Sequence, residues 1–151
     1  MSIRKALGEG YKNLGKILEP YMVALADKEE NLSIEGKLLE HANREQASWI
    51  SYYDERRIEL STYVKFFEME IARVRSEILR SMESYPRELS DRAKEKYIDS
   101  NEKYLEVYEK YLAVKELYNE FESIVEAFKQ RGFALRNITN LRVASLEDVV
   151  I

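Results

Sequence analysis

From Ile50 the apolar positions alternate in steps of three and four residues: Ile50, Tyr53, Leu60, Val64, Phe67, Ile71, Val74 and Ile78, with Arg57 taking one place in the series. That period is the seam of a coiled coil, sustained over four heptads, and it predicts a long helix. Leu25, Leu32 and Leu39 recur every seven residues ahead of it, and Pro20 suits a first helical position. The predicted first long helix therefore covers residues 20–83. It ends at Ser84-Tyr85-Pro86, because a residue before proline is pushed out of the α region. Ser90 then offers an N-cap to a second long helix over 90–131. Its seam reads Ala93, Tyr97, Ser100, Tyr104, Val107, Tyr111, Val114, Tyr118, Phe121, Val125 and Phe128. At about 40 residues it would be about 60 Å long.

The short connection between the two implies an antiparallel hairpin. Gly132 is a natural stop for the second helix, since glycine takes the left-handed conformation without penalty. A basic segment, 133–151, follows it, with Ser145 and Asp148 hinting at a cap. Residues 1–19 hold three glycines, yet Leu7, Tyr11, Leu14 and Leu18 keep a helical spacing, so they read as a short docking helix. The expected fold is all-α: two long antiparallel heptad-patterned helices, a shorter N-terminal helix and a short C-terminal helix after a Gly turn, in one domain over 1–151. Ile98, Leu105, Tyr108 and Leu112 lie outside the seam and widen the apolar stripe, so something must cover it. Both the N-terminal helix and a neighbouring copy in a homo-oligomer are expected to do so.

Composition changes this picture little. The chain has 151 residues, 34% charged and 45% apolar, with five Gly, two Pro and no Cys. Sheets are disfavoured, and disulfides, thiolate metal sites and thiol nucleophiles are excluded. No apolar run reaches the roughly 20 residues that span a bilayer, and the first ten residues lack a signal-peptide core, so no membrane partner and a cytoplasmic location are expected. The net charge of −4 gives no global attraction to nucleic acid. Catalysis is not expected either. His41 is the lone histidine and reads as a helix-surface residue, and there is no Gly-rich phosphate loop, so neither a metal nor another cofactor is expected.

Three constellations could still carry function. Tyr97, Tyr104, Tyr111 and Tyr118 form a ladder, read either as a seam whose hydroxyls reach its edge or as a base-stacking platform, the former favoured by its phase with Val107 and Val114. Arg44, Trp49, Tyr52, Tyr53, Arg56 and Arg57 interleave rings with guanidinium groups, a mixture that suits single-stranded nucleic acid but also a solvated face around two seam residues. Lys129, Arg131, Arg136 and Arg142 are interrupted by no acid between Glu126 and Glu147. With Gly132 and Phe133 among them they would present a turn, a ring and cations to phosphate or to an acidic partner. A helix C-terminus explains Lys129 and Arg131 but not Arg136 or Arg142.

Two segments, Ile50-Ser51-Tyr52-Tyr53-Asp54-Glu55-Arg56 and Ala127-Phe128-Lys129-Gln130-Arg131-Gly132-Phe133-Ala134-Leu135-Arg136-Asn137-Ile138, resemble the UvsY family. The likeness extends from about Leu25 to Val143. It departs from the family at Ala47 and Trp49, where basic residues are common, and at Asp54-Glu55, where a small residue and glycine follow the tyrosines. The family consists of recombination mediators of tailed phages, helical and oligomeric. The resemblance implies a homo-oligomer that binds single-stranded DNA and loads a RecA-like recombinase onto strands covered by single-strand-binding protein, in the host cytoplasm if phage-encoded. The residue mixtures and the resemblance together give the expected DNA contacts as Arg44, Trp49, Tyr52, Tyr53, Arg56, Arg57, Lys129, Arg131, Phe133, Arg136 and Arg142, with Arg142 near a basic position of the family's closing segment. The rival reading is a structural or scaffolding coiled-coil protein of a phage, with no nucleic-acid role.

Overall fold

The structure is a computed structural model that describes residues 2–85 and 87–149. Among these residues it is all-α, with no strand: α1 Ile3–Leu7, a 3-10 turn Glu9–Tyr11, α2 Leu14–Ala26, α3 Lys28–Leu32, α4 Leu39–Met82, α5 Asp91–Ser100 and α6 Glu102–Val149. Among the described residues no helix is long and apolar enough to cross a membrane. The chain divides into two compact units, residues 1–13 with 59–118 and residues 14–58 with 119–151.

Four boundaries differ from the expected ones. The first long helix does not start at Pro20, which lies inside α2; two short helices come first, and α4 begins only at Leu39. Gly36 at φ +73 breaks the path between them, a conformation that a β-carbon would penalise. The second long helix is cut at Asn101, whose extended backbone ends α5 and whose side chain starts α6 by accepting from Lys103 N at 3.0 Å and Tyr104 N at 3.3 Å. Gly132 makes no turn. It sits inside α6, so there is no separate C-terminal helix, and Ser145 is an interior residue whose hydroxyl donates to Leu141 O. Pro86 lies outside the described residues, whereas Ser90 caps α5 as expected, accepting from Ala93 N at 3.2 Å.

The first unit is built on the α4 seam. Leu60, Val64, Phe67, Val74 and Ile78 are buried, along with Val107, Val114 and Leu117 from α6 and Ile98 from α5. The N-terminal segment docks here through fully buried Leu7 and through Tyr11, whose ring meets Phe67 and Phe66 edge-on at 5.2 and 6.4 Å. Tyr11 holds a left-handed backbone, φ 57, which costs a non-glycine residue energy and persists because its surroundings fix it. Its hydroxyl donates to Glu70 Oε2 at 2.6 Å, and the same buried carboxylate is paired with Arg4 and, at 2.9 Å, with Arg73. Burial, then the bond to Glu70, pushes the Tyr11 phenol up to about 12.

Burial works to raise the Glu70 pKa, but the hydrogen bonds from Arg73 and Tyr11 and the charges of Arg73 and Arg4 outweigh it and hold the carboxyl below its ordinary value. A depressed pKa contributes stability that is full above the unfolded value, about 4.3 for glutamate, and is lost as pH falls through the folded one. The native chain is therefore expected to lose thermal stability on acidification below that range more steeply than Glu70→Gln. Parallel melting profiles of the two proteins would remove Glu70 from this role.

Candidate functional site

The second unit places most of the expected contact residues. Its core is Leu14, Leu18 and Ala24 of α2, Ala42 and Tyr53 of α4, and Phe121, Ile124, Val125, Phe128 and Leu135 of α6. The two long helices run antiparallel here, since Tyr53 meets Phe121, Gln46 meets Phe128 and Asn43 meets Thr139.

Two of the expected contact residues belong to this core. Tyr53 is fully buried, its ring stacked 5.1 Å from Phe128; its hydroxyl donates to Ala24 O at 3.2 Å and accepts from Asn31 at 3.1 Å. Arg131 is only 6% exposed and uses its whole fork. It donates to Leu32 O at 3.1 Å, Gln46 Oε1 at 2.6 Å, Glu45 Oε1 at 3.2 Å and, more weakly, Ala42 O at 3.4 Å. Neither side chain is open to a strand of DNA. The sequence carried a sign of this, because Arg131 stands seven residues after Ile124 and fourteen after Leu117, in one column of buried positions.

The α4 cluster is largely occupied with itself. Trp49 is half-buried, stacked on Phe128 at 6.5 Å. The Arg56 guanidinium covers the half-buried Tyr52 ring at 3.5 Å and donates to Tyr52 O, so both the cation and that ring face are engaged. Arg57 pairs with Asp54 at 2.7 Å, and exposed Arg44 with Glu40 at 2.6 Å one turn away.

What remains is concentrated on α6. Lys129, Phe133 and Arg136 line an open groove of about 520 Å3, walled on the α4 side by Asn43, Gln46 and Ile50. Phe133 is 54% exposed, and the Arg136 guanidinium stands 5.8 Å from its ring centroid. Lys129 is exposed, and its nearest carboxylate, Glu126, is 4.0 Å away. No acid lines the groove; Glu45, the nearest on α4 by sequence, is taken up by Lys37 and Arg131. Burial works to raise the Glu45 pKa, but Lys37 holds it below the usual range, so it stays charged within its own pairs. Gly132 is explained by this groove. A β-carbon there would lie 3.0 Å from Gln46 Nε2, whose amide donates to Phe128 O at 2.5 Å, so the glycine makes room where α4 and α6 approach closely.

Asn43, Gln46, Thr139 and Asn140, all groove residues, carry no signal in the sequence, since only the antiparallel pairing brings positions 43 and 139 together. Arg142 lies further along α6 and is exposed. The tyrosine ladder is not the buried seam. Tyr97 is exposed, while Tyr104, Tyr111 and Tyr118 are half-buried beside the core column of Val107 and Val114. No family model, curated protein or solved structure matches the chain.

Proposed function

We propose that this chain binds single-stranded DNA through the α4/α6 groove and acts, as a homo-oligomer, as a recombination mediator that helps load a RecA-like recombinase onto strands covered by single-strand-binding protein. The observation that carries the binding step is an acid-free groove pairing an exposed ring with two exposed cations. A ring stacks on any base and cations neutralise phosphates, which gives affinity without sequence readout. Lys129, Arg136 and Arg142 offer about three phosphate contacts per chain, too few for tight binding alone, so avidity across several copies would supply the rest. The loading step rests on the resemblance of the two segments to UvsY proteins, and no chemistry is required for it.

Fluorescence anisotropy of a labelled oligo-dT strand tests the reading. Binding should weaken with salt, with a slope of about −2 for each chain engaged. Lys129→Ala with Arg136→Ala should weaken it at least about tenfold, while Phe133→Ala should cost about 1–3 kcal/mol of affinity. All of these positions are exposed, so the melting temperature should hold. No binding at low salt would leave the scaffolding reading in possession, whereas full binding by the double variant would remove the groove as the binding site.

A further inference from the structure

The sequence Glu-Lys-Tyr recurs at seven-residue intervals as Glu95-Lys96-Tyr97, Glu102-Lys103-Tyr104 and Glu109-Lys110-Tyr111, and ends as Glu116-Leu117-Tyr118. Within the first unit α6 turns Val107, Val114 and Leu117 into the core. The tyrosines flank that core and pack on one another, with Tyr108 5.9 Å from both Tyr104 and Tyr111. Beyond them lies a second apolar row that the described residues leave about half open. Leu105, Tyr108 and Leu112 are 48%, 38% and 49% exposed, spaced by three and four residues. On a helix these three share one face and form a short second seam.

The residues bordering this second seam say what covers it. With Leu105 and Leu112 at the first seam position of a heptad and Tyr108 at the fourth, one border is Glu102, Glu109 and Glu116, all exposed. The other border is Tyr104, Tyr111 and Tyr118. A second copy laid antiparallel would bring glutamate row against glutamate row, a repulsive arrangement. A parallel copy in register instead sets each tyrosine against the glutamate five residues further along its neighbour, a phenol donor facing a carboxylate acceptor. Lys115, next in the seam, ends the stripe, its ammonium drawn aside over the Tyr118 ring of its own chain at 4.9 Å.

We propose that the face of α6 carrying Leu105, Tyr108 and Leu112 docks a second copy of this chain, parallel and in register, with Tyr104 and Tyr111 donating to Glu109 and Glu116 of the neighbouring copy. This deepens the self-association in the proposed function, and it does not depend on the groove.

Light scattering on the full chain should give a mass that is a multiple of 17.9 kDa. Leu105→Glu with Leu112→Glu should lower that mass with the helical circular dichroism intact, because both side chains are exposed. Direction is read by cross-linking, which the absence of native cysteine makes clean. Leu105→Cys and Leu112→Cys should each, alone, form a covalent dimer on mild oxidation. A monomeric native chain, an unchanged mass in the double variant, or cross-links only when the two single-cysteine proteins are mixed would each overturn the proposal. A native chain that is oligomeric yet fails to bind DNA, by contrast, would count against the groove alone.

Discussion

Replacing Arg131 by alanine is expected to destabilise the protein by about 3 kcal/mol, at the lower end of what breaking a buried ion pair costs. The truncation strands acceptors in the interior of the second unit, among them the carbonyl of Leu32 and the amide oxygen of Gln46, each of which now takes a donor from the fork. Glu45 suffers less because Lys37 still reaches it at 3.1 Å. For a chain of this length the loss corresponds to a melting temperature lower by about 6–12 °C. Arg131→Lys should recover little, since an ammonium on a flexible stem cannot reproduce four planar contacts. Melting followed by circular dichroism decides it, and an Arg131→Ala midpoint within about 2 °C of the native one would mean the fork contributes nothing net. The comparison bears directly on function: weaker DNA binding by an Arg131 variant would report a damaged fold, whereas Lys129→Ala and Arg136→Ala would report the groove.

Tyr53 should behave the same way for a different reason. Tyr53→Ala removes a ring packed against Trp49, Phe121 and Phe128 and opens a cavity, at a cost of about 3–5 kcal/mol. Tyr53→Phe keeps the ring and deletes only the hydroxyl between Ala24 O and Asn31, so about 1–2 kcal/mol should be lost. Chemical denaturation gives both values. Single-strand binding by Tyr53→Phe should equal that of the native chain, and a weakened complex without a stability change would put this hydroxyl at the DNA after all.

Periodicity was the most informative part of the sequence. Tyr53, Leu60, Val64, Phe67, Val74 and Ile78 are buried at the spacing that predicts a seam, and Val107, Val114, Phe121 and Phe128 likewise. Sequence pattern and structure part at residues with more than one use. Glycine at 132 predicts a helix stop, yet it serves the close approach of Gln46. Arg131 stands in a basic run that suggests a phosphate contact, yet its buried fork satisfies two carbonyls and two side chains in the core. The perfect heptad spacing of the tyrosines predicts a seam position, but spacing fixes a column, not the column's direction. The groove itself needed the register between α4 and α6, which one helix's pattern does not contain.

That distinction between column and direction gives the break at Asn101 a larger meaning. Ile98, Leu105 and Leu112 are the same member of one repeating unit, yet Ile98 is fully buried and the two leucines are exposed. The asparagine that ends one helix and starts the next acts as an indexing joint, turning an unchanged motif inward on one side and outward on the other. Growth and loss by whole repeats after the joint, matched by seven residues on α4, would preserve which surfaces are buried. A single-residue insertion at the joint would rotate every later column by about 100°, exchanging core for surface. Lengths of this helix compatible with its packing are therefore quantised in sevens.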